Sequence, residues 1–334
     1  MKKNASDIKV FVSSVLPEIG ISMLQKEGFD VRRWNDPSPI PRDELIKNAK
    51  QCNALLCTLT AKIDAKFLNE CNHLEIISQF GVGYDNINIA EATEHGIPVG
   101  NTPGVLTDAT ADVAFGLMIA ASRKMFFMHK KIEKDEWKHF TPVSNLGIEL
   151  KHKTLGIFGL GRIGTEMAKR CKGAYEMDII YYNRTRNIAA EKLLNAKYVS
   201  FDELLAQSDV LSVHSILSKE TKGIFNKAAF DKMKPTSIFI NTSRGSVHNE
   251  EDLIAALNEG KIWGAGLDVT NPEPMQPGNP LLNMPSVAVL PHIGSATVEA
   301  RNGMSRLAAE NIIEFYKNGR IPNFVNPEVM KHKV

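Results

Sequence analysis

The sequence predicts an α/β protein made of two doubly wound parallel-sheet domains, with its working site in the cleft between them. Three observations carry this. Short apolar runs alternate with helical segments, the pattern of βαβ units around a parallel sheet. The alternation completes once before about residue 100 and starts afresh at Leu155. A glycine-rich turn opens the second series rather than the first, and one more helical segment follows after that series has ended. A chain of 334 residues suits two domains, each large enough for its own core. The late turn and the trailing helix then imply insertion: residues 101–291 form one domain, and residues 1–100 with 292–334 form the other.

In the first series Ile8–Val12 is an apolar strand, and Glu18–Glu27 is a helix ended by Gly28. Phe29–Trp34 is the next strand, Arg42–Gln51 a helix and Ala54–Thr58 another strand. Ala65–Cys71 is helical, Glu75–Gln79 is a strand, and Ile87–His95 is a helix stopped by Gly96. A long helix over Thr107–Ile132 follows, with Ala111, Ala114, Ala120 and Ala121 permitting close packing. Strands of the second series open at Leu155 and continue as Asp178–Tyr182, Asp209–Val213, Ser237–Ile240, Gly264–Val269 and Val287–Leu290. The final helix covers Thr297–Lys317.

The stretch from Lys153 to Gly164 reads as a buried strand, a tight turn and the start of a helix over Arg162–Lys172. Gly159 permits the turn, Gly161 lets the backbone approach a phosphate, and Gly164 lets helix and strand pack closely. The helix start adds unpaired N–H donors and a positive dipole end. The turn, with Arg162 and Ile163, therefore suits the pyrophosphate of a dinucleotide on a Rossmann-like domain. The next strand ends at Asn183-Arg184-Thr185-Arg186. NAD-selective sites place a carboxylate about 20 residues beyond the glycines to hold the ribose hydroxyls. Here Arg184 and Arg186 stand instead, and guanidinium forks suit a 2′-phosphate. The expected cofactor is NADP(H), with NAD(H) as a second choice, and Asn183, Arg184 and Thr185 as its contacts. A solvated basic loop is the plainer alternative.

Apolar residues make up 43% of the chain and charged ones 23%, ordinary for a soluble globular protein. A net charge of +2 gives no reason to expect nucleic acid or an anionic membrane as partner. The start, Met1-Lys2-Lys3-Asn4, is basic, but Ile8–Val12 is too short for the apolar core of a signal peptide. No apolar run approaches the roughly 18 residues of a membrane span. Cys52, Cys57, Cys71 and Cys171 lack C-x-x-C spacing and paired histidines, so neither a metal nor a disulfide is expected. The expectation is a reduced, cytoplasmic protein.

Three groups at the ends of late strands carry the chemistry. Arg244 follows Ile238 to Ser243, Glu273 follows Gly266 to Pro272, and His292 follows Val287 to Pro291. Singly, each has a plainer reading: a loop cation, a turn residue between prolines, a structural histidine. Together they are what reduction of a 2-oxo acid needs. The arginine would hold the carboxylate and polarise the carbonyl, the histidine would donate a proton, and the carboxylate would favour the histidine's charged form. Hydride would come from the reduced nicotinamide.

Over essentially its whole length the chain resembles the D-isomer-specific 2-hydroxyacid dehydrogenases, most of all the glyoxylate/hydroxypyruvate reductases and bacterial 2-ketogluconate reductases. The resemblance rests on Phe80-Gly81-Val82-Gly83-Tyr84-Asp85-Asn86, the Gly159–Gly164 turn, Ile240-Asn241-Thr242-Ser243-Arg244-Gly245, Gly266-Leu267-Asp268-Val269 with Pro272-Glu273-Pro274, and Pro291-His292-Ile293-Gly294-Ser295-Ala296-Thr297. It implies that Arg244, Glu273 and His292 are catalytic, with His292 as general acid. Val82 and Gly83 would offer backbone N–H groups to the substrate carboxylate, and Ser295 would line the substrate side. Asp268 would lie near the nicotinamide carboxamide, with His214, Thr242 and Thr110 along the cofactor. The resemblance also implies a homodimer, and reduction of glyoxylate, hydroxypyruvate or 2-ketogluconate. Vertebrate-like relatives carry a second tryptophan where Phe140 stands after Trp137, which leaves the choice among those substrates open. A cofactor-sensing, corepressor-like binding protein of the same fold is the alternative function.

Overall fold

The computed structural model describes residues 4–332; the basic start at Met1–Lys3 and the last two residues lie outside them. By its contacts the chain divides into two compact units, Met1–Leu106 with Ala296–Val334, and Thr107–Ser295. These divisions fall a few residues beyond the positions 101 and 291 expected from sequence.

The first unit holds a five-stranded parallel sheet. Its strands are β1 (Lys9–Val12), β2 (Asp30–Arg33), β3 (Ala54–Cys57), β4 (Ile76–Gln79) and β5 (Val99–Gly100), in the order β2-β1-β3-β4-β5. β3 and β4 are buried along their whole length, because helices cover both faces of the sheet. The connecting helices are α1 (Glu18–Lys26), α2 (Arg42–Ala49), α3 (Ala65–Glu70) and α4 (Ile89–Glu94). The C-terminal helix, Val298–Asn318, returns to this unit and packs on α1 and β4. Its approach to α1 is close: a Cβ on Gly20 would stand 2.2 Å from the Ser305 carbonyl oxygen.

The second unit holds a seven-stranded parallel sheet. Its strands are β6 (Thr154–Phe158), β7 (Asp178–Tyr182), β8 (Lys197–Tyr198), β9 (Val210–Val213), β10 (Ile238–Asn241), β11 (Gly264–Leu267) and β12 (Val287–Val289). The order is β12-β11-β10-β9-β6-β7-β8, so chain order reverses at β6, where ligands bind in doubly wound folds. One face is packed by α5 (Thr107–Ser122) and α7 (Arg162–Tyr175), with Ala111, Ala114, Met167 and Ala168 against Leu155 and Ile157. The other face is covered by α9 (Phe201–Gln207), α10 (Lys227–Phe230) and α11 (Glu250–Asn258), with Leu204, Phe230 and Leu253 against Phe239 and Leu211.

The helix expected over Thr107–Ile132 is broken in two. α5 stops at Ser122 and α6 runs over Met125–Glu133, with Lys124 in the left-handed region at φ 57°. The break has a tertiary cause. Ile148 N donates to the Ser122 carbonyl at 3.0 Å, in place of a further helical turn, and Lys124 Nζ sits 4.9 Å from the Trp263 ring centroid. The short elements β5, β8, α9, α10, α11 and α8 (Ile188–Leu194) were not anticipated from the sequence.

Candidate active site

β6 runs directly into the glycine turn. Gly159 has φ +100°, and a Cβ there would stand 2.8 Å from the backbone of His214 and Ser215, so only glycine fits. A Cβ on Gly164 would meet the Gly159 carbonyl oxygen at 2.6 Å, which explains why α7 can start hard against β6. Gly161 differs, because nothing lies within 4 Å of its would-be Cβ. It is the N-cap of α7, and no side chain caps that helix end. Among the described residues no acceptor takes the first N–H groups of this 14-residue helix, those of Arg162, Ile163 and Gly164, and the space beside Gly161 is open. These features fit the pyrophosphate of a dinucleotide.

The end of β7 braces this turn. Asn183 Oδ1 accepts from Leu160 N at 2.7 Å, and Asn187 Nδ2 donates to the Leu160 carbonyl at 2.9 Å. The Asn183 amide is therefore engaged with the turn itself. Arg186 departs from the sequence reading. Its Nε and Nη2 grip Glu191 at 2.9 and 2.6 Å, and its guanidinium lies 5.7 Å from the Tyr198 ring centroid. Arg186, with the Tyr181 hydroxyl, pushes the Glu191 carboxyl down to about 2. Arg184 and Thr185 stand exposed at the strand end.

β10, β11 and β12 are parallel neighbours, so their C-terminal ends lie side by side at roughly 4.8 Å spacing. Each is followed by one expected reactive residue. Arg244 comes after β10, and its Nη1 donates to the Ser243 carbonyl at 2.7 Å. A Cβ on Gly245 would meet the Thr270 carbonyl oxygen at 1.9 Å, so the Arg244 loop packs backbone to backbone on the segment leading to Glu273. Asn241, which closes β10, holds this loop. Its Oδ1 accepts from Ser243 N and Oγ at 2.9 Å, and its Nδ2 donates to the Arg244 carbonyl at 2.9 Å and to His248 Nδ1 at 3.0 Å. Glu250 ties down the Glu273 loop at both ends, accepting from Asn271 N at 3.0 Å and Asn279 Nδ2 at 2.6 Å. His292 Nδ1 lies 2.5 Å from Glu273 Oε1. The histidine has φ +54°, an uncommon conformation for a side-chain-bearing residue, held by its N–H donating to the Asp268 carbonyl at 2.9 Å.

Asp268 is 1% exposed, and its carboxylate accepts from Ile293 N at 2.8 Å and Gly294 N at 2.7 Å. Burial pushes its pKa up, against those two bonds. Thr110 on α5 lies beside Gly294, with Cγ2 3.3 Å from the glycine's would-be Cβ. His214 follows β9 and pairs through Nε2 with Ser212 Oγ at 2.8 Å; burial pushes its ring down to about 3, so it is neutral at physiological pH. Thr242 Oγ1 is buried without a protein partner, a hydroxyl that a ligand can satisfy. Ser295 is half-buried. Val82 and Gly83, also half-buried, lie in the first unit on the loop after β4. Among the described residues no group of three or more His, Cys, Asp or Glu is placed to hold a metal. No helix there is long and apolar enough to cross a membrane.

Sequence reading missed Glu191, Asn241, His248 and Glu250, the residues that hold others in place. Asn241 had a signal, an amide closing the apolar run Ile238-Phe239-Ile240, as does Gln79 at the end of β4.

A glycine turn where a doubly wound sheet reverses, with a histidine–carboxylate pair at the ends of its later strands, marks an NAD(P)-dependent oxidoreductase. The chain belongs to the D-isomer specific 2-hydroxyacid dehydrogenase family, whose NAD binding domain matches residues 115–294. It is 47% identical over 326 residues to the glyoxylate reductase of Thermococcus litoralis, covering 96% of this chain and 98% of that relative. A glyoxylate reductase from Paecilomyes thermophila has a similar crystal structure, with TM-score 0.86 and 35% identity over 96% of this chain and 98% of its own. So does an NADPH-dependent glyoxylate/hydroxypyruvate reductase from Sinorhizobium meliloti, crystallised with NADP and malonate, with TM-score 0.81 and 30% identity over 95% of this chain and 96% of its own.

Proposed function

We propose that this enzyme is an NADPH-preferring reductase of small 2-oxo acids, converting glyoxylate to glycolate and hydroxypyruvate to D-glycerate. The observation that carries the reading is the His292–Glu273 pair at 2.5 Å, on strand ends beside the Arg244 loop. When bound, the reduced cofactor supplies the hydride that attacks the carbonyl carbon. Arg244 holds the substrate carboxylate and draws charge toward the carbonyl oxygen. His292 gives that oxygen the proton from Nε2, the ring nitrogen turned away from Glu273, and is reprotonated from solvent. Glu273 fixes the ring. Val82 and Gly83 offer N–H groups to the carboxylate. The glycine turn and the α7 start would hold the pyrophosphate, and Thr110, His214, Thr242 and Asp268 would line the cofactor. Ser295 lines the substrate side.

Exposed Arg184, with no carboxylate at the end of β7, supports the NADPH preference, as does the NADP-bound Sinorhizobium relative. Four buried free cysteines suit a reducing, cytoplasmic setting. The exposed apolar side chains between Met125 and Leu146 support a homodimer.

The test is the loss of reduced-nicotinamide absorbance with glyoxylate, hydroxypyruvate and 2-ketogluconate, each with NADPH and NADH. We expect turnover of the first two with a lower KM for NADPH, and flattening of that preference in Arg184→Ala. His292→Ala should lower kcat by about 10²- to 10⁴-fold. Tight NADPH binding without turnover of any 2-oxo acid would favour a cofactor-sensing binding protein instead.

A further inference from the structure

The loop after β4 is held by its carbonyl groups. The Gly81 carbonyl accepts from Thr102 N at 3.0 Å, the Val82 carbonyl from Asn101 Nδ2 at 2.9 Å, and the Gly83 carbonyl from Gln79 Nε2 at 3.3 Å. Three successive carbonyls are thus drawn onto neighbouring protein groups. Among the described residues nothing accepts from the N–H of Val82 or Gly83. A trans peptide is planar, and its C=O and N–H point in opposite directions. Drawing the Gly81 carbonyl inward therefore turns the Val82 N–H outward, and drawing the Val82 carbonyl inward does the same for the Gly83 N–H.

Two of these donors are side chains, and the one that holds the Val82 carbonyl, Asn101, is itself fixed. Asn101 N donates to the Asn323 carbonyl at 3.1 Å, and the Asn101 carbonyl accepts from Asn311 Nδ2 at 2.9 Å. Asn311 is fully buried on the C-terminal helix Val298–Asn318, and a Cβ on Gly100 would stand 2.8 Å from its amide. The C-terminal helix thus locks Asn101, and Asn101 locks the peptide between Val82 and Gly83. We propose that Asn101 is a positioning residue for substrate binding, aiming the Gly83 N–H at the carboxylate of the 2-oxo acid without touching the substrate. This rests on the reading of Val82 and Gly83 as the carboxylate-binding loop.

Pre-aimed donors stabilise an anion because no reorganisation is needed when it arrives. Losing the aim of one donor should weaken carboxylate binding about tenfold, the worth of one hydrogen bond to a charged group. The reacting carbonyl is held by other residues, so the loss belongs in KM rather than kcat.

The test compares the unaltered enzyme with Asn101→Ala and Asn101→Asp. The second keeps the shape of asparagine but cannot donate to the Val82 carbonyl. Glyoxylate and its neutral methyl ester serve as substrates, with NADPH affinity as the check on folding. Both variants should raise KM for glyoxylate about tenfold, with kcat within about threefold, and change KM for the ester less than about twofold. Unchanged NADPH affinity completes the expected result. Asn101→Asp with the starting KM, or an equal penalty on acid and ester, overturns the proposal. Should the unaltered enzyme take ester and acid equally well, the carboxylate reading of the loop itself fails. A preference for the acid that both variants leave undiminished sinks only the role of Asn101.

Discussion

Gly159 and Gly161 stand two residues apart and are glycine for different reasons. At Gly159 the backbone has φ +100° and the neighbouring chain at His214 and Ser215 leaves no room for a Cβ. Gly159→Ala should therefore destabilise the protein itself, by about 3 kcal/mol, from backbone strain and displaced neighbours. At Gly161 the space beside the backbone is open, and the conformation is extended, at φ −93° and ψ −155°. Gly161→Ala should leave the cofactor-free thermal midpoint almost unchanged, with a stability loss within about 1 kcal/mol. The methyl group would instead occupy the approach of the pyrophosphate, so NADPH affinity should fall about tenfold or more. Thermal unfolding without cofactor, paired with NADPH titration, separates the two. An equal stability loss in both variants would contradict the assignment of that space to a ligand. The roles of such glycines are legible in sequence because spacing alone encodes them. The fate of Arg186 is not, since its partner Glu191 sits on a short helix that carries no strong periodic signal.

At the scale of elements, most strands were legible as short β-prone runs between helical segments, whereas the two-residue β5 and β8 were not. The end of α5 was not, because it depends on Ile148 returning to the Ser122 carbonyl from a segment with no regular structure. The loop after β10 is a similar case. Its shape depends on Asn241 bonding His248, seven residues on, and His248 looks in sequence like any polar residue before a helix. This buried histidine has a measurable consequence. Its Nδ1 accepts from Asn241, its Nε2 has no partner, and burial pushes its pKa down to about 4. An unfolded histidine takes up its proton near pH 6.5, so between about pH 6.5 and 4 the unfolded chain binds the extra proton. Stability attributable to His248 is therefore complete above that window and lost as pH falls through it, by on the order of 3 kcal/mol. His214, pushed down to about 3, adds a slope of the same sign. His248→Asn retains an acceptor for Asn241 and removes the titration. Denaturant unfolding at pH 7, 5.5 and 4.5 should show a shallower acid loss in the variant, and an unchanged slope would exclude His248 as its source.

For the whole molecule, the distribution of exposed apolar side chains is uneven. Seven of the fifteen large hydrophobics exposed among the described residues fall between Met125 and Leu146, a span of α6 and the chain after it. Trp137, Phe140 and Val143 are 68%, 84% and 79% exposed. Isolated exposed hydrophobics need no explanation, but a concentrated run of them marks an interaction site. A second copy of this chain is the proposed occupant, consistent with the homodimer implied by the sequence resemblance. A net charge of only +2 adds little repulsion between two copies. Burying each large apolar side chain contributes about 1.5–3 kcal/mol, and a carboxylate placed in the interface would cost further through lost solvation. The double variant Phe140→Asp with Val143→Asp should weaken self-association about a thousandfold or more. Sedimentation at micromolar concentration should give twice the chain mass for the unaltered protein and the single-chain mass for the variant. NADPH affinity should be preserved, because none of the residues fitted to the pyrophosphate lies in that span. A monomeric unaltered protein, or a variant that remains dimeric, would require another role for this apolar run.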